Sequence, residues 1–292
     1  MRWIAFAAIA ACSAANAVAA DTARAPQLTA AQIVEKNVSA RGGLEAWRKV
    51  QTMVWVGRME SPGAPMPSIP FVLQQKRPNK TRFEINAMSQ RSVRVFDGAR
   101  GWKVHPARDG SPDVQPYTPQ ELKFAREAQG IDGPLIDYQA KGIIVALEGV
   151  EQVEGRKAYR LNVRLPTGER HDIWIDAQTF LDVKYDRTSY NAAGVPGTVS
   201  VLYRNYTAIE GLQIPSTVEI GAGSGKLPDK MVIEKIALNP PLEDRTFARP
   251  GVPHRRHTVT IEAEPTRAAP SVPLAPPAPP AAKSPDPGSA PR

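Results

Sequence analysis

Between about residues 53 and 238 the chain alternates apolar and polar side chains with a period of two, which suits a pleated strand and no helix. Tyr159, Leu161, Val163 and Leu165 fall on one side of an extended chain, with Arg160, Asn162 and Arg164 on the other. Ile173 and Ile175 oppose Asp172, Trp174 and Asp176, and Phe83, Ile85 and Ala87 oppose Arg82, Glu84 and Asn86. Further strands are expected near 53–60, 69–76, 91–96, 101–105, 181–190, 198–208, 215–221 and 230–238. The breaks carry turn residues: Pro78-Asn79, Asp97-Gly98, Glu154-Gly155, Thr167-Gly168 and Glu210-Gly211. Many short strands joined by tight turns make a meandering antiparallel sheet, not a parallel α/β fold.

Two helices are marked by their starts. Thr29 and Gln32 form a capping box, with Leu28 and Ile33 as a hydrophobic staple. Ile33, Val34 and Val38 then share one face until Gly42-Gly43, and a short second turn carries Leu44 and Trp47. The other helix opens at Thr118, with Pro119 in its first position, Glu121 closing a second box and Tyr117 placed to staple Leu122. Two short helices cannot cover a large sheet. Its apolar face must therefore close on itself, curve strongly, or line a cavity.

The ends have a different character. Residues 1–20 read as a secretory signal: Arg2, an apolar run from Trp3 to Ala11, then small residues with cleavage expected after Ala19 or Ala20. Cys12, the sole cysteine, lies inside that segment, so the mature chain is expected to have no thiol. Ile9-Ala10-Ala11-Cys12 also resembles a lipoprotein cleavage box, which leaves a membrane anchor through Cys12 as the second reading. No later segment is long and charge-free enough to span a bilayer as a helix, so the mature protein is expected to be soluble and periplasmic. Residues 264–292 are dominated by Pro, Ala and Ser and are expected to be a disordered tail, leaving 21–263 as the folded domain.

Lysine and arginine exceed the acids to give a formal charge of +8. No basic cluster exceeds Arg255-Arg256, so the excess reads as a solvated surface with weak attraction for anionic membranes, not a nucleic-acid site. No catalytic or metal constellation stands out. His171 and Asp172 are strand neighbours pointing to opposite faces, His254 and His257 sit among prolines and arginines, and His105 belongs to a hairpin. There is no Gly-x-Ser-x-Gly, no His-Glu-x-x-His and no phosphate-cradling glycine loop. No enzyme activity, metal or cofactor is implied.

The order of short motifs resembles a known family. Lys76-Arg77-Pro78-Asn79 looks like the Lys-Arg-Pro-Asn of the periplasmic lipoprotein carrier LolA. Asp97, Gly98, Trp102 and Pro106 fall at the spacing of the carrier's Asp-Gly-x-x-x-Trp-x-x-x-Pro hairpin. A helical segment ending in Gly133-Pro134-Leu135-Ile136-Asp137 stands where the family has lid helices. Val153 to Tyr159, Trp174 to Leu181, Tyr203 to Tyr206, Gly211 to Pro215, Asn239 to Pro241 and Phe247 to Pro250 resemble strand-turn patterns of the broader lipoprotein-sorting-like group, as does Gly42-Gly43-x-x-x-Trp47.

The resemblance covers roughly 28–250 and implies a strongly curved, incomplete antiparallel β-barrel lidded by short helices over an apolar cavity. It implies a monomeric carrier of lipoproteins or other acylated lipids, with an inner-membrane donor and an outer-membrane acceptor. The rival is an envelope lipid-sensing or scaffold protein that binds a protein partner with the same fold. Phe71, Leu73, Phe83, Ile85, Tyr159, Leu161, Val163, Ile173 and Ile175 are then the candidate cavity walls, although alternation alone cannot tell a hollow interior from a filled one. If its strand stays regular, Arg77 shares a face with Phe71 and Leu73, where a cation needs a partner or an aqueous opening. The resemblance makes it the latch that holds the lid when the cavity is empty, with the segment from Gly130 to Tyr138 as its candidate partner; otherwise it is an exposed turn residue.

Overall fold

The computed structural model describes residues 28–251, apart from 63, 65, 88–89, 108–110, 129, 191–194 and 223–226. The signal segment with Cys12, His254, His257 and the Pro-rich tail lie outside the described residues, as does the middle of the Gly221–Gly225 loop. Thirteen antiparallel strands make one sheet. In chain order they are β1 Thr52–Glu60, β2 Ser68–Lys76, β3 Lys80–Ala87, β4 Gln90–Phe96, β5 Gly101–Pro106, β6 Pro112–Pro116, β7 Ile144–Val153, β8 Arg156–Arg164, β9 Arg170–Asp176, β10 Asp182–Tyr190, β11 Pro196–Ile209, β12 Leu212–Ala222 and β13 Asp229–Leu238. The sheet order is β6-β5-β4-β3-β2-β1-β13-β12-β11-β10-β9-β8-β7. The meander therefore closes on itself only where β1 meets β13, and β6 and β7 remain free edges.

Three helices accompany the sheet: α1 Ala30–Ala40, α2 Leu44–Lys49 and α3 Pro119–Glu127. Both capping boxes form, with Thr29 and Thr118 each exchanging hydrogen bonds with the residue three positions on. Tyr117 lies over Gly101, where any Cβ would fall 2.0 Å from its ring. The alternation did not reveal β6 or β7. β7 is an exposed edge whose register shifts between Leu147 and Gly149, which breaks the period. The 130–142 segment is a chain of turns, not a helix, with Gly130, Gly133, Asp137 and Gly142 at positive φ.

A single helix establishes the curvature. Glu121 of α3 bonds Arg94 of β4 and Lys103 of β5, while Phe124 lies over Arg187 of β10 and Lys123 pairs with Glu169 just before β9. In a flat sheet β5 and β10 would be about 38 Å apart, at eight strand spacings. A nine-residue helix is only about 13 Å long. The sheet must curl until its two limbs nearly meet across α3. A bulge helps it turn: the register shifts between Val56 and Gly57, and a Cβ on Gly57 would meet the Val232 carbonyl at 2.0 Å.

Each face has its own core. On the convex side Val93, Val95 and Val104 pack under Phe247, at the end of a 3-10 turn over Asp244–Phe247. Lys76 and Lys80 anchor this strap through Asp244, whose carboxyl they hold down at about 2. The concave side carries three clusters, and only two of them meet a helix.

Candidate ligand-binding site

Register places all nine proposed wall residues on the concave face. Leu73 stands opposite Trp55 and Phe83, and Phe71 opposite Gly57 and Ile85. Leu161 stands opposite Ile173, and Tyr159 opposite Ile175. Beyond that shared face the nine divide. Leu161, Val163, Ile173 and Ile175 are buried against Ile33 and Val34 of α1, with Leu135 and Ile143 from the turn segment, and Tyr159 packs at the margin. These five belong to a filled core, because α1 lies on their strands.

Phe71, Leu73, Phe83 and Ile85 belong to a cluster drawn from strands alone. It includes Val218, Met231 and Ile233, with Trp55, Met59, Val201, Tyr203, Ile220 and Ile236 only partly buried. This is an apolar wall from β3 to β11 into which no helical residue packs among the described residues, although its members Trp55 and Ile236 also border the cluster around Trp47 of α2. Burying apolar surface is worth about 25 cal/mol per Å², so the partly exposed members of this wall can reward a ligand that covers them.

The turn after β2 ties down what surrounds the wall. β2 ends at Lys76, and the Arg77–Pro78 peptide is cis. The Arg77 side chain still points inward, donating to the Val50 and Trp47 carbonyls at 2.7 and 3.1 Å and to Asp132 at 2.6 Å. Asp132 is only 5 % exposed and also accepts from Lys141 at 2.7 Å. Burial lowers the Lys141 pKa, partly offset by that carboxylate. On the same turn Asn79 donates to the Ala125 and Arg126 carbonyls of α3, and Lys76 reaches outward to Leu242 and Asp244. The Lys-Arg-Pro-Asn sequence thus binds the turn segment, α3 and the convex strap from one corner.

The two inner coverings are held differently. The turn segment buries Ile131, Leu135, Ile136 and Ile143. α3 buries no residue and leaves Phe124 46 % exposed. Polar contacts hold it, chiefly Glu121 with Arg94 at 2.8 Å and Lys103 at 3.1 Å. Burial pushes the Glu121 carboxyl up, but the Thr118 N–H and these two cations outweigh it and set its pKa at about 2. A cleft of about 200 Å³ opens between α3 and β10, lined by Phe124, Glu127, Glu169, Arg187, Ser189 and Tyr190 among others. That is below the roughly 300–1,000 Å³ of ordinary ligand sites.

His171 and Asp172 do diverge. His171 faces inward with its Nδ1 2.7 Å from the Tyr185 hydroxyl, and burial lowers its pKa. Asp172 faces outward and accepts from Arg160 and Asn162. Among the described residues no group of acids, histidines or cysteines is placed to hold a metal, and no helix is long and apolar enough to cross a membrane.

With this geometry the chain superposes on several solved structures. A putative outer membrane lipoprotein-sorting protein domain from Vibrio parahaemolyticus matches with a TM-score of 0.51 at 12% identity, covering 74% of this chain and 94% of that one. A DUF1329 family protein from Desulfovibrio piger gives 0.50 at 12% identity, covering 75% and 97%. A LolA superfamily protein from Nitrosomonas europaea gives 0.49 at 16% identity, covering 76% and 98%. The fold is LolA-like. No family profile and no curated protein matches the sequence. At such identities the likeness concerns the LolA-like shape alone, and the chemistry of the site rests on this chain's residues.

The sequence reading missed Phe124, Glu121 as a tether, Asn79 and Arg187. Asn79 lay inside a quoted motif and Glu121 inside a capping box, so both carried a signal. Arg187 carried none: Lys184, Asp186 and Arg187 are charged on both faces of β10, and no apolar period marks which face is inner.

Proposed function

We propose that the protein is a periplasmic, non-enzymatic binder of acylated molecules, either lipids or lipoproteins, that shields acyl chains during transfer between envelope membranes. The observation that carries this reading is the strand-only apolar wall around Phe71, Leu73, Phe83 and Ile85, of which Leu73, Phe83 and Ile85 remain only partly buried. Each methylene removed from water is worth about 0.8 kcal/mol, so a multi-acyl cargo needs such a wall to cross an aqueous space. The likeness to a lipoprotein-sorting domain supports the same reading through shape.

In this reading α3 is the cover that moves and the turn segment stays. α3 is attached by ion pairs and backbone acceptors that water can replace, whereas the turn segment is sealed by four buried apolar side chains. Arg77 then holds the fixed turn segment through Asp132 and so sets the turn from which Asn79 grips α3, latching the closed state indirectly. The test is uptake of a fluorescent acyl probe by delipidated protein. Saturable uptake that falls when Phe83 and Ile85 are changed to serine supports the carrier. A wild-type protein that takes up no probe rejects it.

A further inference from the structure

Arg187 is out of place on the inner face. It projects from β10 beside Tyr185, with Val199 and His171 as its register partners, and is half-buried. Arg41, Arg77, Arg82, Arg160 and Arg204 are the other half-buried arginines among the described residues, and each has a carboxylate within ion-pair distance. Arg187 has none, and no hydrogen bond to its guanidinium is found among the described residues. Among the described residues the guanidinium instead lies over the ring of Phe124, 4.1 Å away. A guanidinium presents five N–H donors, and leaving them without acceptors in a partly desolvated site is costly. No acid of the described domain pairs with this cation, and the site is suited to receiving an anion.

The position relative to the apolar wall fits one class of ligand. Tyr185 is paired with Val201, which belongs to the strand-only cluster, and Arg187 lies two residues further along the same face. Two strand residues span about 7 Å, within reach of an arginine side chain. A chain lying over Val201, Ile220 and Met231 would bring a terminal charge to the guanidinium. The acids lining the cleft do not compete for it. Glu121 is committed to Arg94 and Lys103, Glu169 to Lys123, and Glu127 is drawn to Thr167 and Lys123.

We propose that Arg187 recognises an anionic group on the cargo, a carboxylate or phosphate at the end of an acyl chain, and that Phe124 of α3 covers it in the empty protein. This rests on the carrier reading and adds the cargo's charge to it. Planar bidentate pairing with a carboxylate or phosphate is what a guanidinium does best. Phe124 sits over the guanidinium, so an anion arriving at its N–H donors comes up against the helix that closes the wall. Headgroup recognition and loosening of the cover are thereby coupled.

The test uses the delipidated full chain and three competitors of equal chain length: hexadecanoate, hexadecyl phosphate and the uncharged monohexadecanoylglycerol. Arg187→Gln should weaken the charged competitors about tenfold, the scale of a charge-assisted hydrogen bond, and leave the glyceride unchanged. Arg187→Lys should restore part of the loss, and Phe124→Ala should tighten the charged competitors while sparing the neutral one. Whichever anion loses more in Arg187→Gln identifies the carboxylate or the phosphate as the native group. If Arg187→Gln weakens all three alike, or none, the inference is overturned while the carrier stands. If the wild type binds none of the three, the carrier reading falls with it.

Discussion

The concave face carries two stretches written in the same alternating code, with opposite fates. On β8 and β9, Leu161, Val163, Ile173 and Ile175 lie under α1 and are almost wholly buried. On β2 and β3, Phe71, Leu73, Phe83 and Ile85 meet only other strands, and all but Phe71 keep part of their surface exposed. An apolar strand face is thus neither a core nor a binding wall by itself. Which it becomes depends on whether a helix is delivered to it, and α1 is delivered to only one limb.

Substitutions can break this contrast, beginning with the largest effect. Leu161→Ala should remove about 3 kcal/mol of stability, the usual cost of a cavity in a filled core, with little change in acyl-probe affinity per folded molecule. Chemical denaturation alongside probe titration measures both. A loss of affinity without a loss of stability would show that β8 lines the ligand site after all.

Arg77→Leu comes next, at about 2–4 kcal/mol, since two backbone carbonyls and the buried Asp132 each lose a donor. A turn arginine with no structural duty would cost under about 0.5 kcal/mol. In the variant that survives, probe release should slow, because reclosing of the empty protein is no longer favoured. Unchanged release rates would leave Arg77 a purely structural anchor.

Ile85→Ala probes the uncovered limb. It should cost only about 1 kcal/mol, since part of the side chain is already in water, but weaken a long-chain probe several-fold. Equal effects of Leu161→Ala and Ile85→Ala on both readouts would erase the distinction between the limbs.

The smallest effect concerns the cover. Glu121→Gln should leave global unfolding within about 1 kcal/mol yet speed amide exchange across residues 119–127. The sign of its pH dependence follows from the lowered carboxyl. The folded value near 2 lies below the ordinary 4.5, so the stabilisation is present above pH 4.5 and is lost as the pH falls towards 2. His171, also lowered, contributes in the same sense: its share is present above the ordinary 6.5 and lost on acidification below it. Exchange protection in α3 that falls as pH drops, after allowance for the intrinsic pH dependence of exchange, and that does not fall in Glu121→Gln below pH 4.5, would sharpen the picture of a polar tether.

Much of the fold was legible because it depends on local rules. The period of two located most of the strands, the two capping boxes located α1 and α3, and the Lys-Arg-Pro-Asn turn pointed to the corner where several segments are tied. β6 escaped because its edge strand carries little apolar pattern, β7 because its register shifts after Leu147, and the turns of 130–142 because glycines there interrupt any period. The site was only half legible. Parity placed nine residues on one face but could not divide them.

The amino-acid sequence by itself determined which side chains share a face, where helices begin, and that the sheet would be antiparallel, since these follow from interactions a few residues apart. Only the tertiary structure decided which limb α1 covers, that α3 bridges limbs eight strands apart, and that Arg187 meets Phe124 instead of an acid. Those outcomes depend on the curl of the whole sheet. Curl is the accumulated sum of small twists and bulges over thirteen strands, and no local stretch of sequence contains it.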